Sequence, residues 1–310
     1  MMFAALALFA SLGFAESKTL AVQIHLDRAG FSCSTIDGQW GAKSESALRE
    51  YERVQAKGSR PAASPEQAYD RYFAGTPVPF KVVEVTQADV DALVKIPEDP
   101  AERAKLPRMG YESIKEMFAE RGHLSQIALS KMNPGVDWEN AKAGLKLVIP
   151  DFPSIEEELA AGERGRPNRP KRPEAALVKV SVSSCQIRAF DAAGKLLALF
   201  PCSIAADKAK VPAHGELKVT SYVAWPNFTY TPDYTPPGKK VQRHVWPEGE
   251  NCPVGVAWMG LNLPGYGIHG TPRPESIGFT GSHGCFRLAN WNAARLYAMC
   301  RSGTKVVVEP

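Results

Sequence analysis

The stretch Gly162–Pro173 separates two halves of this chain that carry different folding instructions. It reads Gly-Glu-Arg-Gly-Arg-Pro-Asn-Arg-Pro-Lys-Arg-Pro, with no Val, Ile, Leu or aromatic side chain to offer a core. Proline removes backbone donors and neighbouring like charges repel, so such a stretch extends as a solvated tether. Before it, apolar residues recur mostly at helical spacing; after it, they alternate as strands do. Together with the acidic Glu156–Glu158, residues 152–174 read as a linker, and its basic run fits a tether better than a polyanion site.

The chain has 310 residues, 44% hydrophobic and 23% charged, enough for two or more domains with ordinary cores. Its net charge of +4 is spread out apart from that tether, so no nucleic-acid partner is indicated. Residues 1–15, MMFAALALFASLGFA, form an apolar run shorter than the roughly 20 residues that span a bilayer. Small residues near its end suit signal-peptidase cleavage. We expect a signal peptide over 1–15 and an exported, non-membrane-spanning protein of the periplasm or cell wall. Export permits disulfides among the six cysteines, and the absence of any C-x-x-C pair gives no support to a zinc or thioredoxin site.

The N-terminal half reads as two small units. In 16–60, Leu20, Ile24 and Leu26 stripe a helix that Gly30 stops; Asp37-Gly38-Gln39-Trp40-Gly41 turns, and Ser44–Val54 continues as a second helix. Residues 58–79 connect this unit to the next and include a short helical piece near Glu66–Phe73. In 80–151, Phe80–Val85 suggests a strand; two helical faces follow, around Met117 and Ile127, then Asn133-Pro134-Gly135 and a strand at Leu145–Pro150.

From Leu177 onward strands dominate. Gln186–Phe190 and Lys195–Phe200 flank the turn Asp191-Ala192-Ala193-Gly194, which puts Cys185 and Cys202 at the far ends of one hairpin and makes them a candidate disulfide if the register allows. Further strands are expected at 216–220 and 304–308, a helix at Asn292–Cys300, and an irregular loop at Trp225–Pro253 that serves as a lid or substrate wall. The fold class expected is a mostly β catalytic domain over 175–310, a mixed sandwich- or barrel-like sheet with a short helix, preceded by small α-helical and α+β modules.

Chemistry concentrates between Gly267 and Arg287. Cys285 supplies a thiol; His269 and His283 are rival bases; glycines let backbone amides approach an oxyanion. The amides of Gly284 and Cys285 suit that last role. Arg287 offers either a substrate-carboxylate contact or a structural ion pair, and His269, His283 and Cys285 together also make a conceivable zinc set.

The matching string is Ile268-His269-Gly270-Thr271-Pro272, Ser276-Ile277-Gly278, Ser282-His283-Gly284-Cys285 and Arg287-Leu288. On it, residues 177–309 resemble the L,D-transpeptidase catalytic domain, the YkuD family, with Phe286 where the family usually has an aliphatic residue. The many matching positions that no metal site needs favour the reactive-thiol reading over zinc. The resemblance implies Cys285 as nucleophile, His269 as general base and acid with the Gly270 carbonyl orienting it, His283 shaping the pocket or oxyanion site, and Arg287 and Ser282 against substrate, without metal or cofactor. It implies a peptidoglycan stem tetrapeptide as donor and, as acceptor, a second stem, a lipoprotein lysine or a D-amino acid. Water would make the protein an L,D-carboxypeptidase, and carbapenems would acylate Cys285. Upstream, Asp37-Gly38, Gly41, Ala47, Leu48 and Tyr51 resemble the first type of peptidoglycan-binding domain. Asn133-Pro134-Gly135 with Ala143-Gly144-Leu145, Leu147 and Ile149-Pro150 resembles a LysM module. Both imply contact with glycan strands, and a non-catalytic wall-binding protein is the alternative to an enzyme.

Overall fold

The first helix, α1 (Lys18–Arg28), is buried on two sides because its apolar residues point two ways. Ser17 caps its start, and Gly30, at φ +95°, turns the chain away from its end. Leu20 and Ile24 pack into a cluster with residues 111–152, whereas Val22 and Leu26 pack with Leu196 and Leu199 of the C-terminal half. A computed structural model describes residue 14 and residues 16–55, 61–162, 172–207, 210–212, 215–232, 238, 240–279, 281 and 284–310, so the expected signal peptide lies almost wholly outside the described residues.

Helix α2 (Ala42–Gln55) and the short α3 (Pro65–Ala68), which leads into a π turn at Tyr69–Phe73, complete the first unit. Strand β1 (Phe80–Glu84) opens the second; the one-turn helices α4 (Gln87–Asp91) and α5 (Pro100–Arg103), then α6 (Ile114–Arg121) and α7 (Gln126–Met132), separate it from β2 (Lys146–Pro150). Strands β1 and β2 pair antiparallel, and Met117, Phe118, Leu129 and Met132 fill the space beneath them. No described helix is long and apolar enough to cross a membrane.

Where composition led us to expect a linker over 152–174, Ile155–Gly162 forms helix α8. Ile155 and Leu159 lie four residues apart on one face and meet the C-terminal core, and burial there outweighs the acidic run. Residues 163–171 of the tether are outside the described residues.

The C-terminal half is one mixed, eight-stranded sheet. Its strands are β3 (Leu177–Ser181), β4 (Gln186–Phe190), β5 (Leu196–Pro201) and β6 (Gly215–Ala224), then, after the small hairpin β7 (Phe228–Tyr230) and β8 (His244–Trp246), β9 (Ala257–Leu261), β10 (Gly267–His269), β11 (Phe286–Arg287) and, after helix α9 (Asn290–Met299), β12 (Lys305–Glu309). The order is β11-β10-β9-β6-β12-β3-β4-β5, with β10–β11 and β12–β3 parallel and the other neighbours antiparallel. Bulges in β5 and β6 bend the sheet, which curls into the mixed architecture expected from the alternation. Val178, Val180, Ile187, Phe200, Met259, Ile268 and Phe286 face α8 and α9 across the core. The β7–β8 hairpin corrects the expectation of an irregular 225–253 loop: Phe228 and Tyr230 pack on Trp246, whose indole N–H also bonds the Pro100 carbonyl.

The two halves are joined by polar groups as well as apolar ones. After α1 the backbone pairs with the edge strand β5, Ser32 N donating to Leu199 O and Leu199 N to Gly30 O, both at 2.9 Å. That contact covers an edge that would otherwise be open. Asp27 of α1 and Glu158 of α8 both meet Arg295 of α9, and His123 Nδ1 donates to the Asp27 carboxylate over 3.0 Å while its ring lies between Phe152 and Trp291.

Candidate active site

Alternation along three neighbouring strands places the candidate residues. Ile268 of β10 lies beside Met259 of β9 and Phe286 of β11, and all three side chains enter the core. The next residues therefore point to the opposite face: Trp258, Gly267, His269 and Arg287. Cys285, one residue before Phe286, shares that face. The sheet thus brings Cys285, His269 and Arg287 together from positions 269 to 287, across a loop that the sequence alone leaves undefined.

His269 is 6% exposed, and its Nδ1 lies 2.6 Å from the Gly270 carbonyl. A carbonyl only accepts, so Nδ1 carries the proton and Nε2 keeps its lone pair. Burial, with a smaller contribution from Arg287, lowers the imidazole to about 4 against the opposing effect of the Gly270 bond. The ring is therefore neutral at ordinary pH. Between about pH 6.5 and 4 the unfolded chain binds this proton and the folded one does not, so the burial of His269 costs stability as pH falls through that window.

Cys285 is half-buried, and its Sγ lies 3.4 Å from the Gly265 carbonyl. Burial pushes the thiol above its usual value, partly offset by the Gly267 amide, which donates to the sulfur. The imidazole thus rests neutral and the thiol is held in its protonated form, so a thiolate forms only as a proton leaves. Gly284, at φ +154°, has the Tyr266 ring where a side chain would go: a Cβ there would meet Cε1 at 3.0 Å. Only glycine suits that backbone so close to the thiol. Arg287 is half-buried, donates to the Gly281 carbonyl at 2.6 Å, and is lowered by burial and by the neighbouring Arg273. Ser282 and His283, expected here, lie outside the described residues.

Two supports were not legible in the sequence. The Trp258 indole lies across Gly267, where a Cβ would come within 2.7 Å of the ring, and stacks near His269 with centroids 5.5 Å apart. Asn290, fully buried at the start of α9, accepts from the Val256 amide at 3.3 Å and donates to the Glu250 carbonyl at 3.0 Å. Its Oδ1 fills the space that Gly255 and Gly270 leave, since a Cβ on either would approach it to 2.1 or 2.2 Å. Asn290 so fixes the backbone whose carbonyl holds His269. The glycines at 255, 267 and 270 were the available signal, but their partners are distant in sequence.

The candidate disulfide needs correction. Cys185 and Cys202 face each other, with Cys202 N donating to Cys185 O at 2.8 Å, yet both thiols are free. Cys185 adopts φ +51°, which aims its sulfur at the Val182 carbonyl 3.6 Å away, while the Cys202 side chain is enclosed in the core. Among the described residues no group of three His, Cys, Asp or Glu gathers as a metal set.

Residues 175–308 match the profile of the YkuD family, described as the L,D-transpeptidase catalytic domain. A Bacillus licheniformis protein bearing the name L,D-transpeptidase YkuD is 27% identical over 195 residues, covering 63% of this chain and 93% of its own length. A Bacillus subtilis protein of the same name is 41% identical over 56 residues, 18% of this chain and 34% of its own. An L,D-transpeptidase structure from Mycobacterium smegmatis aligns with 43% of this chain and 58% of its own, at 19% identity and a TM-score of 0.34. Over residues 175–308, then, the sheet that holds His269 and Cys285 is similar to the L,D-transpeptidase catalytic domain of the YkuD family.

Proposed function

We propose that this protein is an exported peptidoglycan L,D-transpeptidase that works through a thioester on Cys285. The observation that carries the reading is the shared sheet face of Cys285 and a neutral His269 whose Nε2 is free to accept. His269 takes the thiol proton as sulfur attacks the carbonyl of the third, diamino-acid residue of a stem tetrapeptide. The amides of Gly284 and Cys285 receive the oxyanion. The C–N bond breaks, the imidazolium returns its proton to the departing amine, and the terminal D-Ala leaves. An acceptor amine then attacks the thioester, losing a proton to His269 and restoring the thiol. Arg287 and Ser282 hold the donor, and His283 shapes the pocket or stands in as base. An amine on a second stem gives a 3→3 cross-link, a lipoprotein lysine gives anchoring, a free D-amino acid gives exchange, and water gives carboxypeptidase activity. Carbapenems acylate the same sulfur, and the two N-terminal units contact glycan strands in the periplasm or cell wall.

The test offers the protein tetrapeptide stems together with a second stem, a lysine peptide and D-amino acids, and reads products by mass. Loss of the terminal D-Ala with transfer to one acceptor supports the reading; intact stems overturn it. The pH profile gives a second check. With His269 held down to about 4 and the thiol pushed up, the acylation rate is expected to show no inflection between pH 6 and 7 and to rise towards alkaline pH. An inflection near the ordinary imidazole value of about 6.5 would contradict the neutral resting pair.

A further inference from the structure

We propose that Lys43, from the N-terminal helix-loop-helix unit, is a positioning residue for the loop that joins His269 to Cys285; the inference rests on the acyl-transfer reading above. Lys43 begins α2, yet its side chain belongs to the other half of the molecule. Its Nζ donates to the carbonyl of Ile277 and sits 4.2 Å from the centre of the Phe279 ring. Its stem fills the space beside Gly278: a Cβ on that glycine, itself at φ +82°, would lie 3.2 Å from Lys43 Cε. One side chain thus touches three successive residues of the loop, by hydrogen bond, by packing and by cation–π contact.

The base of Lys43 is itself fixed. Gln23, 1% exposed in α1, shares the two N–H groups of Nε2 among Asp37 Oδ1, the Gln39 carbonyl and Ser44 Oγ, and accepts from the Gly38 amide. The Asp37–Ser44 turn is therefore tied to a buried helix rather than left to move. On its far side the loop is tied to the site: the Gly278 amide donates to Ser203 Oγ at 2.9 Å, and the Ser203 backbone exchanges two 2.9 Å bonds with Arg287. Arg287 lies on β11, two residues past Cys285. Ile277–Phe279 is thus clamped between Lys43 and Ser203, and a shift at the clamp is transmitted to the strand that follows the thiol. Phe279, 80% exposed, is otherwise a solvent-facing ring held mainly from beneath by the ammonium.

The test compares wild type with Lys43→Met, which keeps the stem and loses the charge and donor, and Lys43→Arg, which keeps both. Two quantities are read: the rate of Cys285 acylation at saturating carbapenem, and hydrogen exchange at the Gly278 amide. Because small misplacements in a reacting geometry cost up to about 100-fold, Lys43→Met is expected to acylate about tenfold more slowly at saturation, with its melting temperature little changed. Its Gly278 amide should exchange about tenfold faster while amides of α9 are unmoved. Lys43→Arg should recover most of the acylation rate. Equal acylation and equal Gly278 exchange in wild type and Lys43→Met would overturn the proposal, as would failure of Lys43→Arg to rescue. If wild type takes no acyl group at all, the acyl-transfer reading fails, and exchange at Gly278 still decides whether Lys43 clamps the loop. Should Lys43→Met not fold, Phe279→Ala removes the ring from the same clamp, and the same two readouts decide.

Discussion

Cys285→Ala is expected to reduce turnover of stem peptides to background, a loss on the order of 10,000-fold or more, while leaving the fold intact. The change removes Sγ alone from a half-buried position whose sheet neighbours are set by backbone pairing. No other described cysteine stands ready to replace it. Cys33, Cys202 and Cys300 are enclosed, and burial pushes all three thiols up, Cys300 to about 12. Cys252 is buried and pushed up to about 11. Cys185, just before β4, points its sulfur at the Val182 carbonyl, and burial pushes its thiol up as well. The comparison to make is the initial rate of D-Ala release by wild type and variant at equal folded concentration. A variant within tenfold of wild type would mean that the acyl group travels by another nucleophile.

The second large effect concerns stability. Asp27 is fully buried and Arg295 is 4% exposed; Arg295 donates to the Asp27 backbone carbonyl at 2.8 Å and to its Oδ1 at 3.3 Å. Burial alone would raise the Asp27 carboxyl, but the Arg295 guanidinium together with His123 and the Ser32 hydroxyl brings it down to about 2. Burial also holds His123 below its usual value, so its bond to Asp27 is that of a neutral ring. Asp27→Ala leaves Arg295 buried with Glu158 Oε1 as its remaining carboxylate, at 3.5 Å and shared with Arg172. Removing one partner of a buried pair costs about 3–5 kcal/mol, and we expect that loss in chemical denaturation. Asp27→Ala/Arg295→Met should regain much of it, because the stranded charge is gone. A loss below about 1 kcal/mol for Asp27→Ala would show that Glu158 and water suffice for Arg295. Since the folded carboxyl is depressed, its contribution is complete above the ordinary value of 3.8 and disappears as pH falls from there to about 2.

That network also marks the limit of what the sequence reveals. Alternation from Leu177 onward announces strands, and Gly-rich His and Cys motifs announce a thiol site, because both signals are local. The hairpin turn at Asp191–Gly194 is legible for the same reason. Helix α8 was hidden by its acids: the core contacts of Ile155 and Leu159 and the pairing of Glu158 with Arg295 and Arg172, all tertiary, make an acidic helix worth burying. The β7–β8 hairpin was hidden because its strands are three residues each and take their support from Pro100 and Arg103, far upstream. Within the site, Cys285, His269 and the Gly270 carbonyl could be named from the motif, whereas Asn290, Trp258 and Lys43 act across about 10 to more than 200 residues of chain and carry no local mark. The free thiols of Cys185 and Cys202 go with a left-handed backbone at Cys185, which no hairpin register discloses.

The most direct measurement is of where the acyl group resides. Wild-type protein should be mixed with a stem tetrapeptide in the absence of acceptor, quenched in acid, digested and mapped by mass spectrometry. The account predicts an acyl fragment equal to the donor less its terminal D-Ala, carried by the peptide containing Cys285 and released by hydroxylamine as a thioester is. D-Ala release with Cys285 unmodified, or an adduct mapped to any other residue, would contradict it.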